Sequence, residues 1–142
     1  MSPAATRHVR HAFVYGTLRR GEERDINCLR PAPRWLGPAS VSGVIYQLGS
    51  YPGLVLGASG RVHGEVYEIS AELEQQLDRI EDVWPTPSGE YIKNETVVRL
   101  GYDGERFADV VCLVYELAPG QASDKAEIAG GDWVGYRAAK AR

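Results

Sequence analysis

Residues 12–21 read AFVYGTLRRG, an apolar strand pattern followed at once by a turn that contains glycine. The apolar and aromatic run from His8 to Tyr15 predicts a strand. Gly16 is expected to turn the chain sharply away from the sheet, because glycine adopts backbone conformations that other residues avoid. The residues after Gly16 therefore predict a loop at the end of the first strand.

This loop has the glycine spacing of a phosphate-binding P-loop but lacks its chemistry. Gly16 and Gly21 match the glycines, yet Glu22–Glu23 stand where lysine and serine or threonine are needed, and they would repel phosphate. The backbone N–H groups of Gly16, Thr17 and Leu18 can instead form a concavity for a carboxylate or an oxyanion. The alternative is a plain connection between strand and helix, and the loop alone does not distinguish the two.

The rest of the chain predicts an α+β fold. Further strands are predicted at Val41–Leu48, Arg61–Ile69, Tyr91–Leu100 and Phe107–Leu117. The turn Tyr102–Glu105 contains Asp-Gly and predicts an antiparallel hairpin. A helix is predicted from Ala71 to about Glu81, with Ser70 as N-cap, and a shorter one from about Glu23 to Leu29. Without βαβ alternation, the order favours a mixed barrel-like sheet with one main helix and short additional helices.

The length, charge, cysteine content and motifs of the chain exclude several classes of protein. The 142 residues predict a single domain, 1–142, with residues 1–7 flexible. A formal charge of -3 argues against nucleic acid as a partner. The sequence has no apolar stretch of membrane-spanning length, and we expect a cytoplasmic protein. With two cysteines and no HExxH, CxxC or GxSxG motif, neither a metal site nor a serine hydrolase is predicted.

The end of the predicted main helix carries the candidate acid. At about 100° per residue, Glu81 falls about 70° from the centre of the apolar stripe, against about 130° for Asp78 and about 170° for Asp82. Glu81 is therefore the acid expected to be partly buried. Burial and the negative end of the helix dipole would both raise its pKa, which suits proton transfer. The alternative is a glutamate that reaches water or pairs with Arg79 or Lys93.

Several segments carry a family resemblance in their order and spacing. They are FVYGTL at 13–18 with Gly21, LG at 36–37, YQLGSYPG at 46–53, VHGEVY at 62–67, LDRIE at 77–81, EYIK at 90–93 and GDWVGY at 131–136. Together they resemble the gamma-glutamyl cyclotransferase-like family, especially the gamma-glutamylamine cyclotransferase branch and its small bacterial homologues. Two positions depart from that pattern: Asp82 where many relatives have glycine, and Lys93 where arginine is common.

The resemblance implies an enzyme that releases 5-oxoproline from small gamma-glutamyl amines without a cofactor or metal. It implies that Glu81 is the general base. It also implies a substrate-binding set formed by Tyr15, Gly16, Thr17, Leu18 and Tyr91. Two alternatives stay open. One is a binding or interaction module on the same fold that has no catalytic activity. The other is an enzyme that removes a gamma-glutamyl group from a larger biosynthetic product.

Overall fold

The structure is a computed structural model that describes residues 9–101 and 107–140. The predicted flexible start, residues 1–7, lies outside the described residues. The predicted Asp-Gly turn at 102–105 also lies outside them, although the two strands that flank it are described.

The described chain forms one mixed sheet. Its strands are β1 (Val9–Val14), β2 (Arg34–Gln47), β3 (Pro52–Ser70), β4 (Tyr91–Gly101), β5 (Phe107–Leu117) and β6 (Ala126–Glu127). The order is β3-β1-β5-β4-β2-β6, and β2 also pairs with β3, so that β1 to β5 close on themselves. Only the β1–β5 pair is parallel among the described pairings. The predicted mixed barrel-like α+β fold is confirmed, as is the antiparallel pairing of β4 with β5.

Helices cover only small parts of the described chain. Helix α1 (Ala71–Ile80) confirms the predicted main helix, and the Ser70 hydroxyl accepts a hydrogen bond from the Leu73 amide at 3.1 Å, as an N-cap should. Helix α2 (Trp133–Lys140) lies in the segment that follows β6. Neither helix is long and apolar enough to cross a membrane, within the part of the chain that the structure describes.

The predicted helix from Glu23 to Leu29 is wrong. Only a 3-10 turn, Ile26–Cys28, forms there. The amides of Arg24 and Ile26 donate to the carbonyls of Thr17 and Leu18, each at 2.9 Å, so this segment folds back on the loop after β1. Those bonds replace the ones that a helix would make.

The hydrophobic core lies on both faces of the strands. Because side chains alternate along a strand, Phe13 packs in the core cluster that includes Trp133, whereas Val14 packs in the cluster that includes Leu73 and Leu77 of α1. Leu73 and Leu77 of α1 are fully buried in this second cluster. The packing of α1 fixes its C-terminal end beside the end of β1.

Candidate functional site

A cavity of about 250 Å³ opens where the loop after β1, the end of α1 and the start of β4 meet. The structure brings all the sequence-predicted site residues to its wall: Tyr15, Gly16, Thr17, Leu18, Glu81 and Tyr91. The loop at 15–18 is far in the chain from Glu81 and Tyr91, and the barrel and α1 bring them together.

Glu81 lies at the C-cap of α1, where its amide donates to the Leu77 carbonyl at 2.9 Å. Its side chain is partly buried, as the helical phase predicts. Burial raises the pKa of Glu81 to about 7; the charge of Arg24 opposes this shift, and the carboxylates of Glu90 and Asp82 add to it. No group among the described residues hydrogen bonds to the Glu81 carboxylate. Glu81 is therefore an acid available for proton exchange near neutral pH.

The alternative partners of Glu81 are engaged elsewhere. The Lys93 ammonium contacts Glu74 and lies 3.1 Å from an Asp78 oxygen. The Arg79 guanidinium lies 4.9 Å from the ring centre of Trp84. Neither cation forms an ion pair with Glu81.

The loop after β1 leaves its amides available. The carbonyls of residues 16–18 accept hydrogen bonds from the amides of Arg19, Arg24 and Ile26 at 3.0, 2.9 and 2.9 Å. The amides of the same residues 16–18 donate no hydrogen bond to any group in the described part of the chain. Amides without a hydrogen-bond partner favour an anionic ligand.

Gly16 is required by the close approach of Pro52. A Cβ atom at position 16 would lie 2.7 Å from Pro52 Cγ and 2.8 Å from Pro52 Cδ. Such contacts are too short for real Cβ atoms, so a side chain here would displace the loop.

A buried carboxylate holds this loop in place. Glu65 of β3 is 7% exposed and accepts hydrogen bonds from Arg19 Nε (3.0 Å), the Arg20 amide (3.0 Å) and the Tyr67 hydroxyl (2.9 Å). Arg19 also reaches Asp132, at 2.8 Å. Glu65 had no predicted role, although an acid within an otherwise apolar strand segment is a signal for a paired buried charge.

We expect Glu65→Gln to destabilise the fold, because it leaves the mostly buried Arg19 without its main counter-ion. The expected loss is about 2–4 kcal/mol in the free energy of unfolding, somewhat below that of a fully buried ion pair since Asp132 remains. Urea unfolding measures it, with Glu68→Gln as the matched control, because Glu68 pairs with the exposed Arg34 on the same strand. Equal losses in the two variants would contradict the anchoring role.

The two predicted tyrosines are fixed within the wall. The Tyr15 hydroxyl donates to the Tyr115 carbonyl at 2.7 Å and accepts from the Leu54 amide at 3.2 Å. The Tyr91 hydroxyl donates to the Pro52 carbonyl at 2.6 Å. Burial raises the pKa of both phenols, so both stay neutral. Their hydroxyl groups thus stabilise the cavity.

Other cavity residues had no predicted binding role. Arg24, Tyr51, Glu90 and Tyr115 also line the wall. The Tyr51 hydroxyl lies 3.0 and 3.2 Å from the two carboxylate oxygens of Glu90. Arg24 forms no ion pair within the described chain. It belongs to the charged run EERD, at 22–25, which resembles an ordinary solvated loop and so gives no signal.

Asp82, one of the two departures from the family pattern, has a left-handed backbone conformation with φ 57°. Glycine adopts this conformation without strain, and aspartate is among the few other residues that tolerate it. Its side chain is exposed, as the helical phase predicts.

We expect Asp82→Gly to stabilise the protein by about 0.5–1 kcal/mol, because the left-handed conformation carries a cost for any residue with a Cβ atom. It should also lower the pKa of Glu81, since the Asp82 charge raises it. Urea unfolding measures the first effect, and the pH dependence of activity measures the second. Asp82→Ala is the control: it removes the charge but keeps the Cβ atom, so it should shift the pKa without the gain in stability. A glycine variant no more stable than Asp82→Ala would contradict the backbone explanation.

Among the described residues, no group of three or more His, Cys, Asp and Glu side chains is placed to hold a metal ion. The chemistry that the cavity does offer includes the Glu81 carboxyl group, the amides of residues 16–18, which donate no hydrogen bond within the described chain, the Arg24 cation, and the carboxylates of Glu23, Asp82 and Glu90.

Comparison with known proteins agrees with the fold. The family model for gamma-glutamyl cyclotransferase, AIG2-like, matches residues 12–135. The chain is 39% identical over 71 residues, 49% of its length, to gamma-L-glutamyl-butirosin B gamma-glutamyl cyclotransferase of Niallia circulans. It is 39% identical over 82 residues, 57% of its length, to a gamma-glutamylcyclotransferase family protein of Escherichia coli K12. These stretches span 44% and 66% of the two relatives, less than two thirds of each.

A solved structure extends the comparison. An AIG2-like protein from Mus musculus superposes with a TM-score of 0.65 at 26% identity, covering 82% of this chain and 81% of that one. Its fold matches the barrel described above. Since the family model spans most of the chain, the protein belongs to the gamma-glutamyl cyclotransferase, AIG2-like, family.

Proposed function

We propose that the protein is a gamma-glutamyl cyclotransferase that releases 5-oxoproline and a free amine from gamma-glutamyl amines or related gamma-glutamyl compounds. One observation carries the proposal: Glu81, with a pKa raised to about 7, shares a cavity with the loop at 16–18, whose amides donate no hydrogen bond within the described part of the chain. A base and an anion-binding loop in one cavity suit a substrate that carries both an ammonium and a carboxylate group.

In this proposal the loop amides of residues 16–18 bind the α-carboxylate of the glutamyl group. Arg24 is the basic side chain of the cavity wall and adds a favourable charge. The Glu65 contacts to Arg19 and Arg20 hold the loop against the barrel, so the binding site is formed before the substrate arrives.

The proposed reaction is a ring closure within the substrate. The Glu81 carboxylate takes a proton from the α-ammonium group, and the freed nitrogen attacks the γ-carbonyl carbon. A carbon–nitrogen bond forms and the carbonyl oxygen becomes an oxyanion. When the oxyanion collapses, the bond to the leaving amine breaks and the proton held by Glu81 passes to that amine. The ring nitrogen, which still carries two hydrogens after the attack, gives one of them to the freed amine through Glu81, which leaves a neutral lactam and an ammonium product. Because both reacting groups belong to one molecule, the reaction needs no cofactor.

We expect kcat/KM to rise with pH and to level off above about 7, since Glu81 must be ionised to act as a base. Well below that pH the rate should fall about tenfold per pH unit, as it does for one essential ionisation. The measurement is initial-rate kinetics on one substrate between pH 5 and 9, roughly the range in which a group of this pKa titrates. A flat profile across neutral pH would contradict Glu81 as the base.

The experiment that tests the function is detection of 5-oxoproline from a panel of gamma-glutamyl amines, dipeptides and isopeptides. A binding module would bind members of the panel without turnover. An enzyme for a larger product, such as the compound for which the Niallia circulans relative is named, would turn over only bulky members. Glu81 favours an enzyme over a binding module, because binding alone needs no poised carboxyl group.

A further inference from the structure

The wall of the cavity is strongly acidic. Among its described lining residues, Glu23, Glu81, Asp82 and Glu90 are acids and Arg24 is the only base. The excess of negative charge persists even when Glu81 is protonated. Such a field attracts cations and repels anions near the site.

The charges of the reacting glutamyl group do not cancel this field. Every gamma-glutamyl amide carries one α-ammonium and one α-carboxylate group, whose charges sum to zero. The remaining charge of the substrate is therefore that of the leaving amine portion. The net field of the cavity acts on this portion and distinguishes one substrate from another.

Building on the proposed function, we propose that the enzyme prefers gamma-glutamyl amides whose leaving group carries an additional positive charge, such as conjugates of diamines and polyamines. Glutamyl conjugates with an anionic leaving group are correspondingly poor substrates. The preference arises from the cavity wall and needs no contact beyond it.

Glu90 is the acid best placed to produce this preference. The Tyr51 hydroxyl lies 3.0 and 3.2 Å from its two oxygens, which holds the carboxylate at the wall, and the Glu90 side chain is only partly exposed. Glu23 and Asp82 are exposed, so water and salt screen them more strongly. Removal of the Glu90 charge should therefore weaken the preference more than removal of an exposed acid.

The test uses three gamma-glutamyl amides with leaving groups of equal chain length: cadaverine, hexylamine and ε-aminocaproate. These end in an ammonium, a methyl and a carboxylate group. We expect kcat/KM to decrease in that order, with the cationic substrate about 5- to 10-fold above the neutral one at low salt. Added salt should reduce the difference.

Variants of single acids test whether the charge of the cavity wall produces the preference for a cationic leaving group. Glu90→Gln should lower the ratio of kcat/KM for the cationic and neutral substrates at least about threefold. Glu127→Gln is the matched control: it changes the net charge equally, but Glu127 is exposed on β6 and lies outside the cavity wall, so the ratio should stay as in the wild type. If Glu90→Gln fails to fold by circular dichroism, Asp82→Asn provides a second variant with a smaller expected decrease.

The outcomes separate the two proposals. Release of 5-oxoproline from all three substrates at equal kcat/KM, or a ratio that persists in the folded Glu90→Gln variant, would overturn the charge preference and leave the proposed function standing. No release from any of the three, or from the wider panel, would overturn both.

Discussion

Replacing Glu81 with glutamine is expected to lower kcat by about 10²- to 10⁴-fold, the usual contribution of a general base. Glutamine keeps the size and polarity of the side chain but cannot take the proton from the substrate. Because the Glu81 side chain makes no hydrogen bond with the described residues, the change should not disrupt the cavity. Steady-state kinetics of 5-oxoproline release measure the effect. The control is Glu72→Gln, an exposed glutamate in the first turn of α1, which should keep full activity.

The same variant should be more stable than the wild type at alkaline pH. Folding raises the pKa of Glu81 from 4.5 to about 7, so the folded state binds the proton more tightly and stability falls as the pH rises through this interval. At pH 8 the glutamine variant should gain about 1–3 kcal/mol, and the gain should vanish below a pH of about 4.5. Urea unfolding at the two pH values measures it. Full activity, or a loss of stability at pH 8, would contradict the assignment of Glu81.

Replacing Gly16 with valine is expected to lower kcat/KM about 100-fold, because a displacement of about 1 Å in a positioning group has effects of this size. The new Cβ atom would lie 2.7 Å from Pro52, so the loop must move away from it. The main effect should be on KM, since the loop amides are proposed to bind the α-carboxylate. An unchanged KM would contradict that role.

Two further variants distinguish a displacement of the loop from a general disruption of the fold. Gly57→Val is the matched control, because a Cβ atom at position 57 meets nothing within 4 Å and Gly57 lies outside the cavity wall. It should keep wild-type kinetics. Adding Pro52→Ala to Gly16→Val removes the ring atoms of the clash and should restore part of the lost activity. If both single valine variants lose activity equally, the special role of Gly16 is wrong.

The sequence predicted which elements form better than where they begin. β2 begins at Arg34 and β3 at Pro52, well before the predicted starts at Val41 and Arg61. Gly37-Pro38 and Gly53 resemble breaks in a strand. They remain in the sheet because β2 and β3 pair along most of their lengths, and Gly37 and Pro38 face Val66 and Glu65. Tertiary pairing thus overrides the local propensity of these residues.

The sequence of helix α2 contains no local signal strong enough to predict a helix there. Its sequence, WVGYRAAK, contains an internal glycine, and its main anchor is Trp133, which is 2% exposed. The burial of that side chain against the barrel holds the helix, together with Tyr136, which packs on the same core and donates a hydrogen bond to Gln47 at 2.6 Å. Such a contact depends on the completed fold and cannot be read from eight residues.

The helical phase predicted the partial burial of Glu81 correctly but underestimated the burial of Glu74. By phase, Glu74 lies about 90° from the apolar stripe, slightly farther than Glu81. In the structure it is only 8% exposed and is bound by Arg10, at 3.0 Å, and by Lys93. Paired cations from β1 and β4 make its burial favourable, and those strands are distant in sequence. Phase alone therefore does not distinguish a structural acid from a catalytic one.

The loop residues of the site could also be predicted only in part from the sequence. The turn at Gly16 was predictable from its position after an apolar strand. Arg24 and Tyr51 were not predictable as wall residues, because they reach the cavity only when the 3-10 turn and the β2–β3 connection fold against β1. Their neighbours in sequence are those of ordinary surface loops.

The decisive measurement for the proposed function is 5-oxoproline release by the purified protein from gamma-glutamyl amines, dipeptides and isopeptides, run in parallel with Glu81→Gln. We expect the wild type to release 5-oxoproline from at least one member of this panel and the variant to release none. Release that is undiminished in Glu81→Gln, or no release from any member by a folded wild-type protein, would contradict this expectation.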